Sequence, residues 1–298
     1  MAYGRDIEAD FDTLIDLMAD MIDAQVDVRR TDGDDWIVDL QALSVKLFKQ
    51  LCSARSLLEP TSFINSRKQV FQFIDQSTVI VAVRACIESY IAMNWIFGSR
   101  DIEHRRFRHR IWTLAGLYDR LGLHATTDEG RRKVSETQAQ ADELTVEVLA
   151  SPFLLSDYTD KQRKRVLKGD WRVDWSWTDQ AVRAGFHKKY FESMYSHYCG
   201  YAHSSYISAL QVRDSANSID DQRMLARAAL QVGVHVLAHF LFFYATILDA
   251  PMRVFESNEE AHRCAGIWHF GAEEMDYLYE QKKDADPDGR GAAGQAGG

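Results

Sequence analysis

Apolar residues recur along this chain at three- and four-residue intervals, the period of a helix with one buried face. Over 5–30, Ile7, Phe11, Leu14, Met18, Met21 and Ile22 keep that spacing with aspartates between them, which predicts an amphipathic helix with an acidic outer face. Trp36, Leu40, Leu43, Leu47 and Leu51 carry it over 35–58, and Pro60 closes the segment because the residue before a proline is pushed out of helical geometry. The stretch 66–98 differs, since VFQFI, VIVAV and CIESYIAMNWIF leave almost no polar side. A helix apolar all round is expected at the centre of the protein.

Two further helices are predicted over 101–121, which carries His104, Arg105, Arg106, Arg108, His109 and Arg110, and over 127–150, with Thr127 as N-cap. The second is polar on most faces and belongs outermost. Periodicity fails over 151–177, where KQRKRVLK and GDWRVDWSW predict an ordered loop. It resumes at Thr178, is expected to break near Gly200, and returns over 220–249 and 256–283. From Asp284 onward no core-forming residues remain, so 284–298 is expected to be a disordered tail. The chain has only four prolines and neither repeats nor linkers. The expected fold is therefore all-α: a single helical bundle-like domain over 1–283, with about eight or nine helices around a central apolar helix.

Charge sharpens this picture. The net charge is −9, and the first 40 residues alone hold 12 acids against three arginines, so the rest of the chain is balanced. Acidity disfavours nonspecific nucleic-acid binding, but only for that first segment, which is instead a candidate surface for a protein partner. The basic stretches 100–110 and 161–168 are candidate phosphate contacts for a nucleic acid, although solvated surface is the simpler reading because no aromatic platform interleaves with them. Cys52, Cys86, Cys199 and Cys264 form neither a C-x2-C pair nor a secreted-type framework, and the first dozen residues have no signal-peptide pattern, so a cytoplasmic location is expected. The run 232–248 is short for a span of about 20 residues and contains His235 and His239, which favours a buried helix over a membrane. No glycine-rich phosphate loop, dinucleotide fingerprint or nucleophile elbow occurs, and no cofactor is expected.

Three groups carry candidate chemistry. Arg84 and Glu88 stand four apart on the most apolar helix, where desolvated charges need further polar partners. They form either a structural pair between helices or part of a site. The segment 190–206, YFESMYSHYCGYAHSSY, holds five of the 12 tyrosines together with Ser196, His197, His203, Ser204 and Ser205. It is either a polar cavity wall or a set of core rings with His203 capping a helix. His235 and His239, at i and i+4, are candidate metal ligands, but a third ligand such as Glu88 or Glu192 would have to come from elsewhere, and core histidines bonded to carbonyls are commoner. No metal site is expected.

In order along the chain come R-x3-E (Arg84, Glu88), an arginine-rich helix (Arg105, Arg108), a W-S-x4-A-x3-G-like stretch (Trp175, Ser176, Ala181, Gly185) and Y-S-x6-H-S (Tyr195, Ser196, His203, Ser204). Over 80–210 this set resembles a bacterial all-helical domain family of unknown function, in which the Arg, Glu and His recur together. The resemblance implies a cluster of Arg84, Glu88 and His203, with Tyr195, Ser196 and Ser204 beside it. The set is also similar in general look to HEPN-type helical ribonucleases, whose R-x4-6-H mark occurs here only at Arg263 and His269, outside the matching segment. Two functional readings result. One is a helical interaction or regulatory protein whose polar cluster fixes packing. The other is an effector of a bacterial defence or toxin system acting on RNA or a nucleotide phosphodiester, in which Arg84 holds an anionic oxygen, Glu88 orients and His203 moves the proton. Both require the three groups to meet in space.

Overall fold

The computed structural model describes residues 4–26, 28–29, 33–271 and 273–276. Its first helix, α1 (Ile7–Asp23), is capped by Asp6, whose carboxylate accepts from the Glu8 and Ala9 amides. Phe11, Leu14, Met18 and Met21 are buried, as their spacing predicts, while Asp12, Asp16, Asp20 and Asp23 form an exposed stripe. Asp10 turns inward instead and accepts from the Trp268 indole at 2.8 Å and from Arg5. The second helix is α2 (Trp36–Ser56).

The expectation of one helix over 66–98 is corrected by a hairpin, β1 (Thr61–Ile64) paired antiparallel with β2 (Val70–Phe73), in the register Phe63 opposite Phe71. Four alternating residues carry too little pattern to stand out beside the apolar run that follows. The helix proper, α3 (Gln76–Phe97), starts after Asp75, whose side chain accepts from the Thr78 amide. All eight strand residues are exposed, including Phe63 at 57% and Ile64 at 63%.

The next two helices, α4 (Ile102–Leu121) and α5 (Asp128–Ala150), match expectation, and α5 lies outermost against α4. The presumed loop over 151–177 contains α6 (Pro152–Ser156) and α7 (Asp160–Val166), each less than two turns long and too short to show periodicity. It is followed by α8 (Trp177–Arg183), α9 (Lys188–Ala202) and α10 (Tyr206–Ser215). The break expected near Gly200 is displaced, since Gly200 lies within α9 and the turn is formed by 203–205. An earlier turn runs through Gly185, whose φ of +101° and whose distance of 2.8 Å from a would-be Cβ to the His239 ring leave no room for a side chain.

The long helix α11 (Ile219–Ile247) is followed by α12 (Asp249–Ser257) and α13 (Glu259–Trp268), so the single last helix expected over 256–283 is broken at Asn258, which caps α13 through its side chain. Residues 277–283 and the expected tail 284–298 lie outside the described residues. The class is all-α, with these thirteen helices and a further helical turn at 273–276 among the described residues instead of eight or nine helices, the excess being mainly short helices. The centre is shared: α3 and α11 pack on each other, α3 also meets α2, α4, α8 and α9, and α11 meets α1, α2, α10, α12 and α13. Both central helices are long and apolar enough to cross a bilayer, but 61% and 78% of their most apolar windows are buried inside the protein.

Candidate functional site

The central helix is not apolar all round. Val81, Arg84, Ala85, Glu88 and Ala92 form a less buried stripe along α3, and there the Arg84 and Glu88 side chains keep 22% and 37% of their exposure. Arg84 Nη2 lies 2.8 Å from Glu88 Oε1. The same oxygen accepts from the Tyr195 hydroxyl of α9 at 2.6 Å, and the Arg84 guanidinium lies 5.5 Å from the centroid of the Tyr195 ring. Burial, reinforced by the Glu88 carboxylate, pushes the Tyr195 phenol up to about 12, so near neutrality it stays protonated and donates. Burial works against the Arg84 charge, but Tyr195 and Glu88 more than offset it and hold its pKa above the usual value.

The expected triad is corrected at its third member. His203 sits at the C-cap of α9, exposed and eight residues past Tyr195, which is about 12 Å along a helix. It makes no ion pair or hydrogen bond with Arg84 or Glu88. Ser196 and Ser204 are exposed as well, the latter in left-handed geometry at φ +53°. Of the neighbouring tyrosines, Tyr198 and Tyr201 are buried core rings, whereas Tyr206 is exposed.

What surrounds Arg84 and Glu88 is an open cleft of about 660 Å³. From α2 come Lys46 and Gln50, and from α4 comes Trp112. The segment after α7 supplies Trp171 and Arg172, and α8 opens with Trp177. That segment is held in several places. Trp171 packs on Trp95 at 5.0 Å, the Trp95 indole donates to Asp174 at 3.1 Å, and Gln162 of α7 donates to the Val173 carbonyl at 2.9 Å. Ser176 and Asp179 close a reciprocal cap at the start of α8. The Arg172 guanidinium lies 5.4 Å from the Trp171 ring and 5.8 Å from Trp177. Two donors in this wall, Arg84 Nε and Trp177 Nε1, are buried with no acceptor. Lys46 and Arg172 have no ion-pair partner among the described residues.

The cleft thus offers three cations against one carboxylate that already has two donors, together with four large aromatic side chains. From sequence the tryptophan cluster reads as an ordered loop and, through Trp175 and Ser176, as part of the family resemblance, but not as the wall of a cleft. Three tryptophans and an arginine in seven residues were the visible signal, but their meeting with Arg84 depends on a contact some 90 positions away.

The other candidates resolve differently. His235 Nδ1 faces the Trp268 carbonyl at 2.8 Å and His239 Nε2 faces the Phe270 carbonyl at 3.3 Å. A carbonyl only accepts, so both rings donate to backbone, and no metal-holding group of three or more His, Cys, Asp or Glu side chains occurs among the described residues. In the 100–110 stretch, Arg105 donates to the Ser99 carbonyl, Arg106 binds Glu103, Arg108 is buried and Arg110 binds Glu147. In 161–168, Arg163 and Arg165 pair with Asp160 and Asp170, leaving Lys161, Lys164 and Lys168 exposed. Arg263 is exposed on α13, whereas the His269 ring packs on Phe242 at 4.2 Å.

No family model, curated protein or solved structure matches the chain.

Proposed function

We propose that the protein is a helical regulatory or interaction module whose cleft binds a planar, anionic small molecule of the nucleoside monophosphate class. The observation that carries this reading is the composition of the cleft wall. Trp171, Trp177 and Trp112 offer flat faces for a base, while Lys46, Arg84 and Arg172 offer charge for a phosphate. The unpartnered Arg84 Nε and Trp177 Nε1 supply donors that an acceptor-rich ligand would satisfy. Glu88, already accepting from Arg84 and Tyr195, fixes the Arg84 guanidinium instead of repelling the ligand at full strength.

The alternative, an effector that cleaves a phosphodiester, needs a group that moves a proton near neutrality. His203 is two turns away, and Tyr195 titrates far above that range. Binding without turnover is therefore the better reading of the geometry. The exposed aspartate stripe of α1 complements it as a surface for a basic protein partner.

Isothermal titration with adenosine monophosphate, adenosine and inorganic phosphate tests the cleft. Binding of the monophosphate, weakened about tenfold or more by Arg172→Ala or Trp171→Ala and unchanged by His203→Ala, is expected. A monophosphate that fails to bind, or binds equally well to the Arg172→Ala protein, would contradict the proposal. Turnover of a phosphodiester that depends on His203 would restore the effector reading.

A further inference from the structure

A second pocket of about 280 Å³ lies on the other side of the 171–177 segment, lined by Asn94, Trp95, His104, Arg108, Trp175, Gln180 and Arg183 among others. Its central feature is Arg108, buried with 9% of its surface exposed. The guanidinium donates from Nη1 to the Trp95 carbonyl at 3.0 Å, and Nε has no acceptor. It lies 5.2 Å from the Trp95 ring and 4.9 Å from the Trp175 ring. A second guanidinium, from Arg183, sits 3.7 Å from the centroid of that same Trp175 ring. Two cations thus share one indole, and neither has an ion-pair partner among the described residues.

The nearest acids do not complete the arrangement. Asp157 pairs with His104 at 3.1 Å, and Asp174 accepts from the Trp95 indole at 3.1 Å. Gln180 is 2% exposed, and its Oε1 atom has no donor. A buried, incompletely bonded guanidinium beside another cation costs free energy that a bound anion would recover.

We infer that this pocket is a binding site for a phosphate group, with Arg108 and Arg183 holding its oxygens and Gln180 Oε1 accepting from a P–OH or from a donor beside the phosphate. The volume admits a tetrahedral oxyanion with several waters, each of which needs about 30 Å³, and suits a small ligand better than a whole nucleotide. The site is separate from the cleft around Arg84, because Trp175 lines this pocket whereas Trp171 and Trp177 line the cleft.

The test is isothermal titration of the full chain with two probes, inorganic phosphate and glycerol 3-phosphate, which distinguish a free anion from a monoester. Binding of at least one, weakened about tenfold or more by Arg183→Ala and by Arg108→Met but unchanged by Arg213→Ala, an exposed cation outside both pockets, is expected. Arg183 is exposed, so its substitution leaves the fold intact even if Arg108→Met does not. Absence of binding of both probes up to about 10 mM, a range that detects even millimolar affinity, overturns the inference. So does binding that survives Arg183→Ala or is lost in Arg172→Ala, the second result assigning the phosphate to the cleft.

Discussion

Acidification should destabilise this protein well above the range in which carboxylates titrate, and His235 is the main reason. Its ring is 1% exposed, its Nδ1–H donates to the Trp268 carbonyl, its Nε2 is buried without a partner, and the Phe270 ring stacks on it at 4.1 Å. His239 lies 4.5 Å away, and His269 lies 4.3 Å beyond that. Burial pushes the His235 pKa down to about 4, with His269 adding to the effect and the Trp268 bond opposing it. The unfolded chain has an ordinary histidine near 6.5, so it binds more protons than the folded chain between these values, and stability falls as the pH drops through that window. Linkage gives a loss of about 2 kcal/mol at pH 5 and about 3 kcal/mol at pH 4 relative to neutrality from this group alone. His239, held well below its usual pKa by burial and by the two neighbouring rings, steepens the same slope. Urea unfolding followed by circular dichroism at pH 7, 6 and 5 measures it. His235→Asn keeps a donor near the Nδ1 position without a titrating ring, and should remove about 2 kcal/mol of the loss between pH 7 and pH 5. An unchanged slope in that variant would refute the assignment.

Three further outcomes follow from the geometry. Gly185→Ala should lower stability by about 2 kcal/mol or more in the same urea assay, since it combines a positive φ with a Cβ pressed on the His239 ring; a neutral change would contradict that account. Glu88→Ala should cost only about 1 kcal/mol or less in a thermal melt, because the pair is open to the cleft; a loss of 3 kcal/mol or more is what a sealed pair would give. The double change Phe63→Ser and Phe71→Ser removes aromatics that are 57% and 48% exposed, so the melting temperature should move by no more than about 2 °C. A larger drop would mean that the hairpin is packed on the body.

The helical framework was legible because its signals are local. The 3.6 period placed Phe11, Leu14, Met18 and Met21 on a buried face, and Thr127 caps α5 as expected. Asp10 escaped notice because its inward turn depends on Trp268, 258 positions away. The hairpin was absorbed into the following apolar run because VFQF is hydrophobic in either conformation. Half of the candidate site was readable: Arg84, Glu88 and Tyr195 do meet. The histidine was misplaced because α9 continues past Tyr195 and carries His203 along its axis, away from the pair. A sequence shows which residues share a segment, but not the direction in which that segment crosses its neighbour. The cleft was hidden for a related reason, since Lys46, Trp112 and Arg172 come from three separate segments and no spacing rule connects them.

The most direct test of the account is a nitrogen-15 proton correlation spectrum of the seven tryptophan indoles during titration with adenosine monophosphate. Trp177 Nε1–H is buried without an acceptor, and Trp171 and Trp112 line the same cleft. Their three indole resonances should shift with a common saturation curve, while those of Trp36 and Trp268, buried elsewhere, stay in place. A spectrum in which Trp112, Trp171 and Trp177 remain fixed at saturating ligand would contradict the claim that this cleft is the binding site.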